Sequence, residues 1–222
     1  MPEFQFDYLF EVFPKIIKFL PFTFELALVS MVFATILGLI LALIRQYRVK
    51  VLYQLSAIYI SYFRGVPFIA QLFLFYYGVS QIVPFLQSMT PVTGMVVVLS
   101  TNAAAFMAES IRGALNSVDK GQYEAALAVG MKPIEALRRI VVPQAVRVAV
   151  PALSNSFIDL FKTTSMGFTI GLKDMMAAAS IEISLGFRNF EVYVVLVAIY
   201  WSIVSILSFF QSKLEKRLNA AY

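Results

Sequence analysis

The chain has 222 residues, of which 60% are hydrophobic and only 14% charged, and a mean hydropathy of +0.79. A soluble domain carries about 25% charged residues, so this composition excludes a water-soluble globule and predicts an all-α polytopic membrane protein. The absence of both His and Cys argues against a disulfide scaffold and against a hydrolase built on either residue, and the net charge of +5 suits the loops of a membrane protein better than nucleic-acid binding.

A bilayer is spanned by about 20 apolar residues in a helix. The opening residues set Glu3, Asp7 and Glu11 among aromatics, without the basic start and small-residue cut site of a signal peptide. They read as an amphipathic lead-in ending near Pro14 and Lys18. The first span covers about 22–44, interrupted by Glu25 and Gly38 and stopped by Arg45, Arg48 and Lys50. The next apolar stretch is too long for one span. Its first residues, to Ser56, read as an amphipathic approach, and the span itself (57–83) is broken at Arg64-Gly65-Val66-Pro67. A loop with Pro84 and Pro91 precedes the third span, 92–111, which is rich in small residues (Ala103, Ala104, Ala105, Ala108) and closed by Glu109 and Arg112. Residues 113–147 are too polar for lipid. A short fourth span (151–169) contains Asp159 and Lys162. Residues 171–188 read as a loop or re-entrant segment, and the fifth span (192–210) is followed by Lys213, Lys216 and Arg217.

Five spans put the termini on opposite sides. With the amino end outside, twelve basic residues fall in cytoplasmic segments against four outside (Lys15, Lys18, Lys173, Arg188), with Arg64 and Lys162 at membrane depth. The positive-inside rule therefore predicts amino end out and carboxyl end in.

The long cytoplasmic loop, 113–147, has the composition of ordered structure. Glu124-Ala125-Ala126-Leu127-Ala128-Val129 is a strong helix former, preceded by Asp119 and ended by Gly130. A second short helix follows Pro133. Leu127, Val129, Met131, Ile134 and Leu137 exceed what so small a knob can bury, which leaves either protein docking or an amphipathic helix on the headgroups.

The residues Glu124-Ala125-Ala126, Gly130, Ile140 and Pro143 resemble the EAA motif, E-A-A-x3-G-x9-I-x2-P, of the permease subunits of bacterial ATP-binding-cassette (ABC) importers, and every position matches. Arg64-Gly65-Val66-Pro67, Ala108-Glu109-Ser110-Ile111-Arg112-Gly113 and Phe161-Lys162-Thr163-Thr164-Ser165 resemble the R-G-T-P, A-E-x-x-R-G and L-K-D-T-S segments of its polar amino-acid branch. The resemblance runs from about Thr23 to Arg217, with Val66 where Thr is common and Thr163 where an acid is common. It implies the type I ABC importer architecture in the bacterial cytoplasmic (inner) membrane. It further implies a coupling helix seated in an ATPase subunit, a pair of such ATPases, a second permease subunit (the same chain or a close paralogue) and an extracytoplasmic binding protein. The chain has no G-x-x-x-x-G-K-[ST] loop, so ATP and Mg belong to the partner ATPase. No catalytic residue and no metal site is expected here.

Charged groups at membrane depth are costly and default to paired or functional roles. Glu25 and Glu109 lie near span ends, where they reach water. Arg64 reads either as a clamp on the broken helix or as a substrate contact. Asp159 and Lys162, three apart, either neutralise each other or face the translocation path with Thr163, Ser165 and, on the third span, Asn102. An amino-acid zwitterion needs a cation and an acceptor to replace its hydration, and Lys162 with Asp159 offers both. Thr163 favours a neutral, polar substrate, and the wider resemblance of 162–200 leans to cystine or a similar sulfur amino acid. An ion-coupled secondary amino-acid transporter is the rival, but only one convincing broken span and no repeat is visible. The many aromatics are assigned to lipid-facing packing and interface belts.

Overall fold

The computed structural model describes residues 4–219; Glu3 lies outside the described residues. Every regular element among them is helical. In chain order they are α1 (Phe6–Ile17), α2 (Leu20–Gln46), α3 (Lys50–Gly65), α4 (Phe68–Phe73), α5 (Ser80–Ile82), α6 (Pro91–Asn116), α7 (Lys120–Ala128), α8 (Pro133–Ala136), α9 (Val142–Thr163), α10 (Met175–Gly186) and α11 (Asn189–Asn219). Wide π-type turns fill Leu74–Val79 and Leu137–Val141, and a 3-10 stretch covers Thr164–Ile170.

Three of these helices, α2, α6 and α11, are long and apolar enough to cross a membrane. The broken pair Lys50–Gly65 and Phe68–Ile82 supplies a fourth crossing if taken as one. The 22-residue α9 is about 33 Å long by helical rise, but Arg147, Asp159 and Lys162 set it apart from the apolar four. Apolarity alone therefore yields four crossings at most, one short of the five that the sequence suggests.

The boundaries also move. The amphipathic approach ending at Ser56 is continuous with the span that follows it, because α3 begins at Lys50. The third span extends to Asn116. Pro151 lies inside α9 and does not open it, so helix replaces loop over 142–147. Residues 171–188 hold a helix, α10, with Asp174 as its N-cap: the carboxylate Oδ1 accepts from the Ala177 N–H at 2.9 Å.

The chain folds as two units. The first comprises Met1–Val32, Val66–Ser100 and Phe157–Phe209. Its core is Phe161, fully buried among Val12 and Ile16 of α1, Ala27 of α2, Met175 and Ala179 of α10, and Val192 and Leu196 of α11. The lead-in is thus a packed helix: α1 buries Val12 and Ile16, exposes Phe6, Phe10 and Phe13, and is tied by Lys15 to Glu11 at 2.8 Å and to Glu182 of α10 at 3.0 Å. Those two carboxylates, Glu11 first, hold the Lys15 ammonium above the usual lysine range.

The second unit comprises Phe33–Gly65, Thr101–Ser156 and Phe210–Tyr222. Leu41 and Ile60 pack there against Ala104, Ala105 and Ala108 of α6. In lipid, where apolar contact alone does not drive helices together, small residues permit the close approach from which dispersion and hydrogen bonds gain. The Tyr59 hydroxyl donates to the Thr101 carbonyl at 2.6 Å and Asn102 Nδ2 donates to the Phe63 carbonyl at 3.1 Å, which joins α3 to α6.

Candidate functional site

The EAA residues occupy a built structure. Asp119 caps α7, its Oδ1 accepting from the Gly121 N–H at 2.6 Å. Within α7, Glu124 lines a groove, while Ala126 is buried and fits because its side chain is a single methyl. Past the helix end, Gly130 adopts φ +90°. Its N–H donates to Leu127 O at 2.9 Å and the Met131 N–H donates to Ala126 O at 3.1 Å. This paired closure needs a left-handed residue, which glycine supplies without steric cost.

Pro133 then opens α8 at its first turn. Pro143 has no N–H to give Arg139, four residues back, and the preceding Leu137–Val141, which contains Ile140, forms wide turns. Gln144 Nε2 donates to the Ile140 carbonyl at 3.0 Å and also to Gln122 Oε1 of α7. The I-x2-P half of the motif is thereby tied to the E-A-A half. Val129 and Ile134 are 79% and 76% exposed. A groove of about 1040 Å³ runs between the α2 end (Leu43, Tyr47) and Tyr123, Glu124, Ile134 and Leu137.

The residues assigned to a substrate path fall into two groups. Asp159, Lys162, Thr163 and Ser165 belong to the first unit. Lys162 Nζ lies 2.8 Å from Asp159 Oδ1, with side chains 52% and 71% exposed. An exposed pair of this kind adds little stability. The Thr163 hydroxyl donates to Asp159 O and Ser165 Oγ to Lys162 O, each at 2.7 Å. Arg64 and Asn102 belong to the second unit, where Asn102 bonds to the residue before Arg64 and the Arg64 guanidinium sits 5.6 Å over the Phe106 ring.

Three features escape sequence reasoning. The carbonyl of Val66 at the helix break is satisfied by buried Gln71, whose Nε2 donates to it at 2.8 Å; the only hint in the sequence is an amide soon after Pro67. Glu109, read as reaching water, instead meets Arg112 at 2.6 Å and Arg45 at 3.4 Å. The Arg112 spacing is legible in the sequence, the Arg45 partner is not. Asp174 is fully buried, with Oδ2 lacking any hydrogen bond.

Burial pushes the Asp174 carboxyl up to about 7 from its ordinary 3.8, against the backbone N–H of Ala177, which favours the charged form. Between those values the folded chain holds a proton that the unfolded chain has lost, so stability falls as pH rises from about 4 to 7. Asp174→Asn keeps a capping oxygen and removes the titration. Its melting temperature in detergent should change less between pH 5 and pH 8 than the wild type's; equal changes would contradict this account.

The sequence matches the model of the family described as "binding-protein-dependent transport system inner membrane component" over residues 34–220. It is 47% identical over 219 residues to a probable amino-acid ABC transporter permease protein, PatM, of Vibrio harveyi, covering 99% of this chain and 98% of that one. It is 37% identical to the L-cystine transport system permease protein TcyL of Bacillus subtilis (strain 168), covering 93% and 88%. The structure superposes on one chain of a crystal structure of an amino acid ABC transporter with histidines at a TM-score of 0.90 and 32% identity, covering 97% and 100%. With these matches over nearly its whole length, the chain belongs to the binding-protein-dependent transport system inner membrane components, as a permease subunit of the amino-acid ABC transporters, in which ATP hydrolysis is left to a separate ATPase subunit.

Proposed function

We propose that this permease carries a neutral polar or sulfur-containing amino acid, with cystine the leading candidate, inward across the cytoplasmic membrane. It crosses the bilayer five times, counting α9, with its amino end outside. It works as half of a permease pair, fed by an extracytoplasmic binding protein and driven by two ATPase subunits that bind the ATP and Mg. The observation that carries this reading is the structured segment 119–144. It presents Val129 and Ile134 to solvent on a frame fixed by Asp119, Gly130 and Gln144, a shape suited to a partner's groove and not to lying flat on lipid. Glu124, Ala125, Ala126, Gly130, Ile140 and Pro143 are its coupling residues.

For the substrate, the exposed Asp159–Lys162 pair of the first unit offers one acceptor and one donor cation to a zwitterion, with Thr163 and Ser165 adjoining in the sequence; Arg64 and Asn102 are path candidates of the second unit in their own right. Thr163 adds no charge beside them, which favours a substrate without a charged side chain. Relatives named for L-cystine agree with this, whereas others are named for arginine, octopine and nopaline.

The test is uptake of labelled cystine by proteoliposomes holding the permease, its ATPase and its binding protein. Cystine should be taken up with ATP and not without it. Lys162→Ala should raise the apparent KM about tenfold, the loss of one charge-assisted hydrogen bond of about 1.5 kcal/mol. An unchanged KM would remove Lys162 from the path.

A further inference from the structure

The end of α2, the start of α3 and the last turns of α6 meet at a cluster of charge that the coupling motif does not include. Glu109 lies between two guanidinium groups. Arg112, one turn along α6, gives it a short bond from Nη2 to Oε2 at 2.6 Å. Arg45, at the end of α2, approaches the other oxygen, Nε to Oε1, at only 3.4 Å. These two atoms are both buried, and neither makes a hydrogen bond. The Arg45 guanidinium is steadied 5.4 Å from the Tyr53 ring of α3. Each atom is the partner that the other lacks, since a charge-assisted N–H···O bond closes at about 2.7–2.9 Å.

Both limbs belong to the unit that carries the coupling segment. α6 runs on through residues 117–119 into α7. The α2 end, through Leu43, Gln46 and Tyr47, forms one wall of the groove whose other wall is Tyr123, Glu124, Ile134 and Leu137. A displacement of the coupling segment into that groove therefore bears on the two helix ends that Arg45 and Glu109 join. We propose that the Arg45–Glu109 contact is an open latch, closed by an approach of about half an ångström when the ATPase moves the coupling segment. Glu109 is the positioning residue, oriented for it by Arg112. The latch converts motion at the cytoplasmic face into a fixed spacing of α2 and α6.

The inference rests on the reading of the chain as an ATP-coupled permease, and the experiment separates the two. The assembled transporter is reconstituted with its ATPase and binding protein, and uptake of a mixture of labelled amino acids is measured per ATP hydrolysed. Glu109→Gln should hydrolyse ATP near the wild-type rate but deliver about fivefold less substrate per ATP, the scale of a modest coupling energy. Arg45→Lys keeps the charge and loses the Nε donor, so it should fall between the two. Unchanged substrate per ATP in both variants overturns the latch. So does an equal fall of hydrolysis and uptake in Glu109→Gln, which marks a merely structural role. If Glu109→Gln fails to assemble, Arg45→Lys alone decides. Wild-type hydrolysis with no ATP-dependent uptake instead overturns the importer reading, and the latch with it.

Discussion

Gly130→Pro should reach the membrane at the wild-type level and lose ATP-driven uptake, while Gly130→Ala should retain a reduced activity. The reason is local. Gly130 sits at φ +90° and its N–H closes the end of α7 on Leu127 O at 2.9 Å. Proline is held near φ −65° and has no N–H, so it breaks the turn that sets the angle between α7 and α8. Alanine keeps the N–H and suffers only the left-handed strain of about 1–2 kcal/mol, while the Gln144 bonds to Gln122 and Ile140 stay in place. Nothing lies within 4 Å of a Cβ added at this position, so the Ala variant reports backbone strain without a clash. Membrane content is followed by immunoblot and transport by ATP-dependent uptake in vesicles. Wild-type uptake in the proline variant would detach the turn from coupling.

The sequence carries the motif but not the reason for its spacing. Glu124, Gly130 and Pro143 are found by pattern; that Pro143 follows wide turns around Ile140, and that Gln144 reaches back to α7, emerges only in the fold. The break at Pro67 is equally legible, because proline acts on its own neighbours, whereas Gln71 as the donor to the freed carbonyl is not. The errors share a cause. Residues 171–188 read as a loop or re-entrant segment because they are polar, and their helix is not foreseen. Asp174 is instead a buried cap, Glu182 pairs with Lys15 of α1, and Arg188 with Glu191. Glu109 reads as exposed for the same reason, its partner Arg45 being far away in the chain. In an apolar chain few charges remain, and Glu182 and Glu109 meet partners far away in the sequence, which periodicity does not reveal. The Asp159–Lys162 pair is legible because helix geometry alone brings residues three apart together.

Gly38→Leu should destabilise the second unit, and truncation of the neighbouring Met107 side chain should not rescue it. A Cβ at position 38 would stand 3.0 Å from Met107 Cβ, 3.2 Å from the Ala104 carbonyl oxygen and 3.3 Å from the Ala108 nitrogen. Two of those atoms are backbone and the third is a Cβ, so Met107→Ala leaves every one of them in place. α2 and α6 must then separate, and Ala104, Ala105 and Ala108, buried in that contact, cannot refill the gap. Overpacking of this kind costs about 1–3 kcal/mol, or a fall of about 5 °C in melting temperature for a chain of this size. Gly38→Ala needs only a few tenths of an ångström and should cost far less. Thermal unfolding of the detergent-purified chain measures all three. Recovery in the Gly38→Leu/Met107→Ala double variant would show that the Met107 side chain, and not helix backbone, limits the approach. Arg45 lies two turns beyond Gly38 on α2, and Glu109 adjoins Ala108 on α6. The same separation should therefore widen the Arg45–Glu109 contact, so the leucine variant is expected to lose substrate delivered per ATP as well as stability.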